Sequence, residues 1–195
     1  MESYIYQEIG EGELSLSVNE VAARLCSPRD FDRDFIREAE GELRGCLTPR
    51  FAALRVPLSY PEEGGVSIAS FQVRSRDLYK NLFPCREAFL LALTLGEGVD
   101  RYLYRLSLRS VSAHFVADAV ASAFAEAAAD LCEEKIKGGL TCRPRYSPGY
   151  GDMPLSFQDT LLTLTDAYRR LGIKLGHNLL LSPQKTITAV LGILP

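Results

Sequence analysis

The spacing of apolar and polar residues changes along the chain, and each change marks a new element. Residues 13–17 (ELSLS) alternate between polar and apolar side chains, a pattern typical of a half-buried strand. Residues 18–26 then carry apolar side chains at helical spacing and predict a short helix. Residues 30–46 repeat this spacing with charges at the other positions, so a second, amphipathic helix is expected there.

The pattern becomes β-rich after residue 50. The runs 51–60 and 66–73 are separated by PEEGG, which predicts an antiparallel hairpin with a loop of about five residues. Residues 89–95 (FLLALTL) form an almost unbroken apolar run that ends at Gly96. Such a run is typical of a strand with both faces covered, so we expect it in the middle of the sheet.

The longest helical segment spans residues 110–137 and holds nine alanines. Small side chains let another backbone approach closely, so this helix should be central and densely packed. Residues 156–171 predict a further amphipathic helix, and residues 186–193 a β-branched strand. Together these patterns predict an α+β fold, a single domain over residues 1–195 with a central, largely antiparallel or mixed sheet and packed helices.

Composition excludes several classes of protein. The chain has 195 residues, with 22 Lys and Arg against 25 Asp and Glu, and a formal charge of −3. A duplex nucleic-acid binder usually carries a basic surplus, so no nucleic-acid partner is expected. The longest stretches without a charged residue are ten residues long. A spanning helix needs about 20 apolar residues, so no membrane segment is expected either.

The cysteines and histidines give no support to a metal site. Five cysteines lie at wide spacings without a CxxC pair, and the two histidines, His114 and His177, are far apart. We expect reduced thiols in a cytoplasmic protein, because the acidic N-terminal segment does not resemble a signal peptide. Each histidine is isolated from a nucleophile or carboxylate in sequence, so a packing role is expected for both.

The segment 145–152 (RYSPGYGD) is the best candidate for a site. Gly149 and Gly151 would let backbone amides approach a ligand, and Pro148 would stiffen the segment. Its side chains offer a guanidinium fork, aromatic faces and a carboxylate, from Arg145, Tyr146, Tyr150 and Asp152. Proline and glycine mark ordinary turns more often than sites, so a purely structural turn stays an open alternative.

The loop and the residues that follow it also resemble a known family. The family pattern is an Arg-x-x-Pro-Gly-Tyr loop, a helix, a Gly-Ile-x-Leu strand start, and a Pro-x-Lys-Thr segment that leads into a β run ending in Gly. The residues that fit this pattern in order are Arg145, Pro148, Gly149, Tyr150, Gly172, Pro183, Lys185, Thr186 and Gly192. The segment resembles the S-adenosylmethionine-binding activation domain of cobalamin-dependent methionine synthase, especially its free-standing bacterial form. The resemblance covers residues 76–195 and leaves residues 1–75 as an N-terminal α/β part.

This resemblance implies an accessory protein that binds S-adenosylmethionine and presents its methyl group to a cobalamin held by another protein. The implied partners are a corrinoid-binding protein or methionine synthase modules, with flavodoxin or ferredoxin as a possible electron donor. It implies no catalytic residue and no turnover by the chain alone. The residues expected to bind the ligand are Arg145, Ser147, Pro148, Gly149, Tyr150, Gly151, Asp152, Ser122 and Glu126.

Two positions depart from the family pattern. An acidic residue of the long helix is replaced by Ser122, with Asp118 and Glu126 one turn away on the same face. An N-terminal Asp-Trp motif is missing, since the chain has no tryptophan. Two alternatives therefore stay open, namely a module of the same fold for another nucleotide or amino-acid ligand, and a ligand-free scaffold for a corrinoid protein.

Overall fold

The computed structural model describes residues 4–17, 19, 21, 22, 25 and 33–195. Within these ranges the helices are α1 (Arg33–Arg44), α2 (Arg76–Leu82), α3 (Glu97–Ser107), α4 (Val111–Lys137), α5 (Phe157–Leu164) and α6 (Ala167–Arg170). The strands are β1 (Tyr4–Glu8), β2 (Arg50–Ser59), β3 (Gly65–Ile68), β4 (Phe71–Arg74), β5 (Glu87–Thr94), β6 (Lys174–Leu175), β7 (Leu181–Ser182) and β8 (Thr186–Ile193). No helix of this described part is both long and apolar enough to cross a bilayer.

The main sheet is antiparallel, in the order β4-β3-β2-β5-β8, and β1 pairs with the first half of β2. Strand β5 pairs along its whole length with β2 on one side and β8 on the other. Its residues from 88 to 94 are all buried. The predicted interior strand and the α+β class are therefore confirmed.

Helices cover both faces of this sheet. Leu91 and Leu93 of β5 belong to a core cluster that includes buried residues of α1, α3 and α4. Leu90 points to the opposite face and joins a second cluster with α2 and α5. The alternation of side chains along β5 thus separates two cores, and both are filled by apolar residues because the strand has no solvent-exposed face.

Helix α4 begins where the sequence predicts. The Ser110 hydroxyl accepts a hydrogen bond from the Ala113 amide at 3.2 Å, and Gly138 takes a left-handed conformation at the other end. Six alanines of this helix are fully or almost fully buried: Ala117, Ala121, Ala123, Ala125, Ala128 and Ala129. The expected central, closely packed helix is confirmed.

Two predicted strands take other forms. Residues 14–17 form no strand, and a short 3-10 helix (Glu11–Glu13) precedes them. Leu14 is buried, but the Arg44 guanidinium donates to its carbonyl at 3.1 Å, so a side chain takes the place of a neighbouring strand. The run 66–73 bends at Ala69, whose φ is 55°, and forms two strands instead of one.

Two predicted helices, 156–171 and 18–26, also differ from the structure or lie mostly outside its described part. The predicted helix 156–171 is broken between α5 and α6, where Asp166 has a φ of 52°. The Leu161 carbonyl accepts from both the Thr165 amide at 3.0 Å and the Thr165 hydroxyl at 2.7 Å, so this buried hydroxyl has a partner at the end of α5. Most of the predicted helix 18–26 lies outside the described residues.

Two helical glycines give a test of this packing. A Cβ at Gly98 in α3 would lie 2.3 Å from the Cys46 carbonyl oxygen, whereas a Cβ at Gly41 in α1 would meet nothing within 4 Å. Helix propensity alone favours alanine at both positions. We expect Gly98→Ala to lower the free energy of unfolding by about 1–3 kcal/mol through overpacking. Gly41→Ala should raise it by about 0.5–1 kcal/mol.

Urea unfolding of the two variants and the wild type measures these differences. Gly41→Ala serves as the control for the change in propensity. Equal stabilisation by both substitutions would contradict the close approach of α3 to the segment before β2.

Candidate functional site

A cleft of about 460 Å³ lies between α4, the segment after it and the start of β8. We call it the α4 cleft. Its polar lining residues are Glu126 of α4, Arg145, Tyr146, Ser147 and Tyr150 of the loop, Gln158 of α5, and Thr186 and Thr188 of β8. Small-molecule sites in proteins have volumes of about 300–1,000 Å³, so a ligand can be accommodated here.

The loop 145–152 is fixed at several points. Tyr146 exchanges two backbone hydrogen bonds of 2.9 Å with Val190 of β8, which attaches the loop to the sheet. The Gly149 amide donates to the Met153 carbonyl at 3.0 Å, and Gly149 has a φ of 90° that favours glycine. Pro148 is buried. The segment is an ordered turn, and this turn forms one wall of the cleft.

Tyr150 extends from this turn with two thirds of its surface exposed, at 66%. Together with Ser147 and Pro148 it lines the α4 cleft. The structural-turn and ligand-loop interpretations are therefore compatible, because the turn holds the backbone while the side chains border the cleft.

Gly151 and Asp152 face away from the α4 cleft. A Cβ at Gly151 would lie 2.5 Å from both a carboxylate oxygen of Asp77 and the Tyr146 hydroxyl, so a side chain here would displace both groups, and its φ of 51° also favours glycine. The Asp152 carboxylate accepts from the Ser75 hydroxyl and from the Arg76 amide at 2.8 Å. These two hydrogen bonds, the first being the larger effect, lower its pKa. Asp152 thus caps α2 and is not the free acceptor expected from the sequence.

Arg145 is already bound by the chain itself. Its guanidinium donates to the carboxylates of Glu126, Asp130 and Glu133 at 2.5 to 2.6 Å. These three residues follow one another on a single face of α4. Burial opposes the charge, but the three hydrogen bonds outweigh it and raise the pKa of Arg145 above its usual range. Sequence analysis assigned the Arg145 guanidinium to a ligand carboxylate. In the structure it binds three carboxylates of α4.

Lys185 makes the corresponding contact nearer the N-terminus of α4, one to two turns before Glu126. Its ammonium lies 2.7 Å from the Asp118 carboxylate and donates to the Ser122 hydroxyl at 3.0 Å. We call the row Asp118, Ser122, Glu126 and Asp130, at intervals of four residues, the α4 polar row. Ser122 is therefore engaged by Lys185, whereas Glu126 borders the α4 cleft.

Sequence analysis missed several members of this site. Glu133 lies in a charged segment near the end of α4, which predicts an exposed side chain, yet it is 8% exposed and binds both Arg145 and Lys137. Its position seven residues after Glu126 could have indicated this role, because that spacing places both residues on one helix face. Gln158 and the two threonines of β8 carry no local pattern that would mark them, since only the tertiary structure brings them to the cleft.

Other candidate residues have structural roles. The Nδ1 atom of His114 lies 3.0 Å from the Leu103 carbonyl, so this histidine joins α4 to α3. Among the residues that the structure describes, no group of three or more His, Cys, Asp and Glu side chains is arranged to hold a metal.

Comparison with known proteins identifies the fold. No family model and no curated protein matches the sequence. A solved structure, the crystal structure of the MetH reactivation domain bound to AdoHcy, matches with a TM-score of 0.71 over 97% of this chain and 78% of that chain. The two sequences are 13% identical. The chain therefore has the fold of the reactivation domain, as the resemblance in its C-terminal part implies.

The contact of Arg145 with α4 makes a testable contribution to stability. Arg145→Ala leaves Glu126, Asp130 and Glu133 close together without their shared cation. We expect the free energy of unfolding to fall by about 1–3 kcal/mol. Glu133→Gln should cost less in the Arg145→Ala background than in the wild type, because the two residues interact directly.

Chemical denaturation of the two single variants and the double variant measures this coupling. Arg143→Ala is the matched control, since this nearby arginine donates only one long hydrogen bond of 3.3 Å, to the Phe83 carbonyl. Strictly additive effects of Arg145→Ala and Glu133→Gln would contradict a cooperative cluster.

Proposed function

We propose that the chain binds S-adenosylmethionine in the α4 cleft and presents its methyl group to a cobalamin held by a partner protein. The observation that carries this proposal is the position of the cleft, between the Arg145 loop and the α4 polar row, in the fold of a domain that has been crystallised with AdoHcy. AdoHcy is the molecule that remains when S-adenosylmethionine gives up its methyl group.

The charges around the α4 cleft fit a cationic ligand. Arg145 supplies one positive charge against the three carboxylates that bind it, and Lys137 neutralises part of the excess through Glu133 at 2.6 Å. A negative excess remains next to the cleft. S-adenosylmethionine carries a sulfonium and an ammonium group against one carboxylate, so the electrostatic interaction with this site is favourable.

The other lining residues fit the rest of the molecule. Ser147 and Thr188 offer hydroxyl groups to the ribose. The Thr186 hydroxyl already donates to the Pro183 carbonyl and the Gln158 amide nitrogen to the Leu179 carbonyl, so these two side chains offer their oxygens as acceptors. The exposed ring of Tyr150 offers a face to the adenine or to the sulfonium. A cation over an aromatic ring gains about 0.5–2 kcal/mol.

Methyl transfer of this kind requires positioning more than acid–base catalysis. A cobalamin held by the partner and reduced by one electron from a donor would supply the methyl acceptor. The bond from sulfur to the methyl group would break with its electron pair kept by sulfur, which leaves AdoHcy in the α4 cleft. No proton moves in this exchange, so the chain needs only to hold the sulfonium in line with the cobalt.

We place this activity in the cytoplasm, with a corrinoid-binding protein or methionine synthase modules as the partner. A flavodoxin or ferredoxin would supply the electron. The role of the chain is then restoration of a cofactor that has lapsed into its oxidised form.

A second candidate function rests on the state of Arg145. Three of the five N–H donors of its guanidinium bind carboxylates of α4, so contacts within the chain hold the loop in place. The same fold could therefore serve as a binding module for another nucleotide or amino-acid ligand, or as a ligand-free scaffold for a corrinoid protein.

Titration calorimetry with S-adenosylmethionine separates these candidates. We expect binding by the wild type, and a loss of about 0.5–2 kcal/mol of binding free energy in Tyr150→Leu. Tyr150→Phe, which keeps the ring, should bind like the wild type. Because Tyr150 is exposed, neither substitution should change stability appreciably. No heat with S-adenosylmethionine at millimolar concentration, but binding of adenosine or methionine alone, would favour the second candidate.

Methyl-labelled S-adenosylmethionine tests the role in transfer. We expect no label on homocysteine or on free cob(II)alamin when the chain is alone, because the methyl acceptor in this proposal is the cobalamin that the partner holds. Label should reach cobalt only when a corrinoid protein and a reductant are both present. Labelled methionine formed without the partner would instead identify a self-sufficient methyltransferase.

A further inference from the structure

A second and larger cleft, of about 850 Å³, lies away from the α4 cleft. It is bordered by the segment before β2, the start of β2, the first two turns of α3 and the end of α6. The two clefts lie on either side of the connection between β7 and β8, because Pro183 lines the larger one and Thr186 lines the smaller one.

Three arginines line this larger cleft, which we call the arginine cleft: Arg50, Arg101 and Arg105. One carboxylate, Glu97, is also in the lining and binds Arg101 at 3.2 Å. Glu8 is opposite Arg50 in the register of β1 and β2, but no ion pair forms between them within the described residues. A positive excess is thus concentrated here in a chain with a net charge of −3.

Two of these arginines have unused donors. The Nε atom of Arg50 is buried and has no hydrogen-bond partner, while one of its terminal nitrogens donates to the Leu171 carbonyl at a long 3.3 Å. None of the ion pairs within the described part of the chain involves Arg105, which is exposed. A buried donor without an acceptor is unfavourable, so the Arg50 environment is incomplete without an acceptor from a ligand or solvent.

The backbone of α3 adds to the positive character. Its N-cap is Gly96, which makes no side-chain capping hydrogen bond, so the first amides of α3 keep their donor capacity. Gly98, in the first turn, carries no side chain over this part of the cleft wall. The N-terminus of a helix favours negative charge, and the first-turn residues Glu97 and Gly98 line the same cleft as the three arginines.

We infer that the arginine cleft binds a small anion that carries two or more phosphate groups. A guanidinium fork matches phosphate oxygens in pairs, and arginines on two different elements would reach separate phosphates. The cleft is larger than a single phosphate needs, which favours a polyphosphate or a phosphorylated metabolite. This site is independent of the proposed S-adenosylmethionine site, whose surroundings carry the opposite charge.

Titration calorimetry with inorganic pyrophosphate tests the inference. We expect binding by the wild type and a loss of at least about tenfold in affinity for Arg105→Gln, the change that corresponds to one charge-assisted hydrogen bond. Because Arg105 is exposed, this variant should fold normally; Arg50→Gln provides a second test at the buried donor. Arg109→Gln is the matched control, since it removes the same charge one turn further along and outside the cleft.

Equal weakening by Arg105→Gln and Arg109→Gln would overturn the inference, because it would show attraction to diffuse charge only. Absence of heat with pyrophosphate at millimolar concentration, or tighter binding of citrate than of pyrophosphate, would overturn it as well. Binding of S-adenosylmethionine by Arg105→Gln should equal that of the wild type. Failure of the proposed function therefore appears as loss of S-adenosylmethionine binding alone, with pyrophosphate binding retained.

Discussion

The contact of two cations with one face of α4 is the interaction on which the candidate site depends. Arg145 binds Glu126, Asp130 and Glu133, and Lys185 binds Asp118 and Ser122. Both cations come from the chain after α4, one from the loop and one from the residue just before β8. Alanine side chains pack closely but are small and alike, so they fix the rotation of a helix about its own axis only weakly. The ion pairs of Arg145 and Lys185, at two positions along α4, fix that rotation.

The same contacts also fix the walls of the α4 cleft. Arg145 draws the loop toward α4, while the backbone of Tyr146 is paired with Val190. The loop is thus held on two sides, by the Arg145 side chain against α4 and by backbone hydrogen bonds to the sheet. Tyr150 then extends from a rigid turn, and rigid support of this kind limits the entropy lost when a ligand binds.

Sequence patterns predicted correctly those elements that depend mainly on their own residues. The apolar run of β5 and the alanine-rich α4 follow from side-chain period and size, and both are confirmed. The break at Asp166 and the irregular residues 14–17 depend on contacts that the period does not contain, such as the Arg44 guanidinium on the Leu14 carbonyl. Sequence analysis singled out Arg145 but did not predict its contact with α4, because an arginine in a loop reveals its charge but not which carboxylates the fold will bring to it.

The opposite charges of the two clefts have a consequence for selectivity. S-adenosylmethionine and a nucleotide such as ATP share an adenosine group, so shape and stacking at Tyr150 in the proposed site would distinguish them poorly. The carboxylate excess beside the α4 cleft would repel a polyphosphate, whereas Arg50 and Arg105 would attract one. Repulsion of this kind discriminates without any added contact to the favoured ligand. The formal charge of −3 does not reveal this arrangement, because it is a sum over the whole chain. The fold places the two clefts of opposite charge on either side of the connection between β7 and β8.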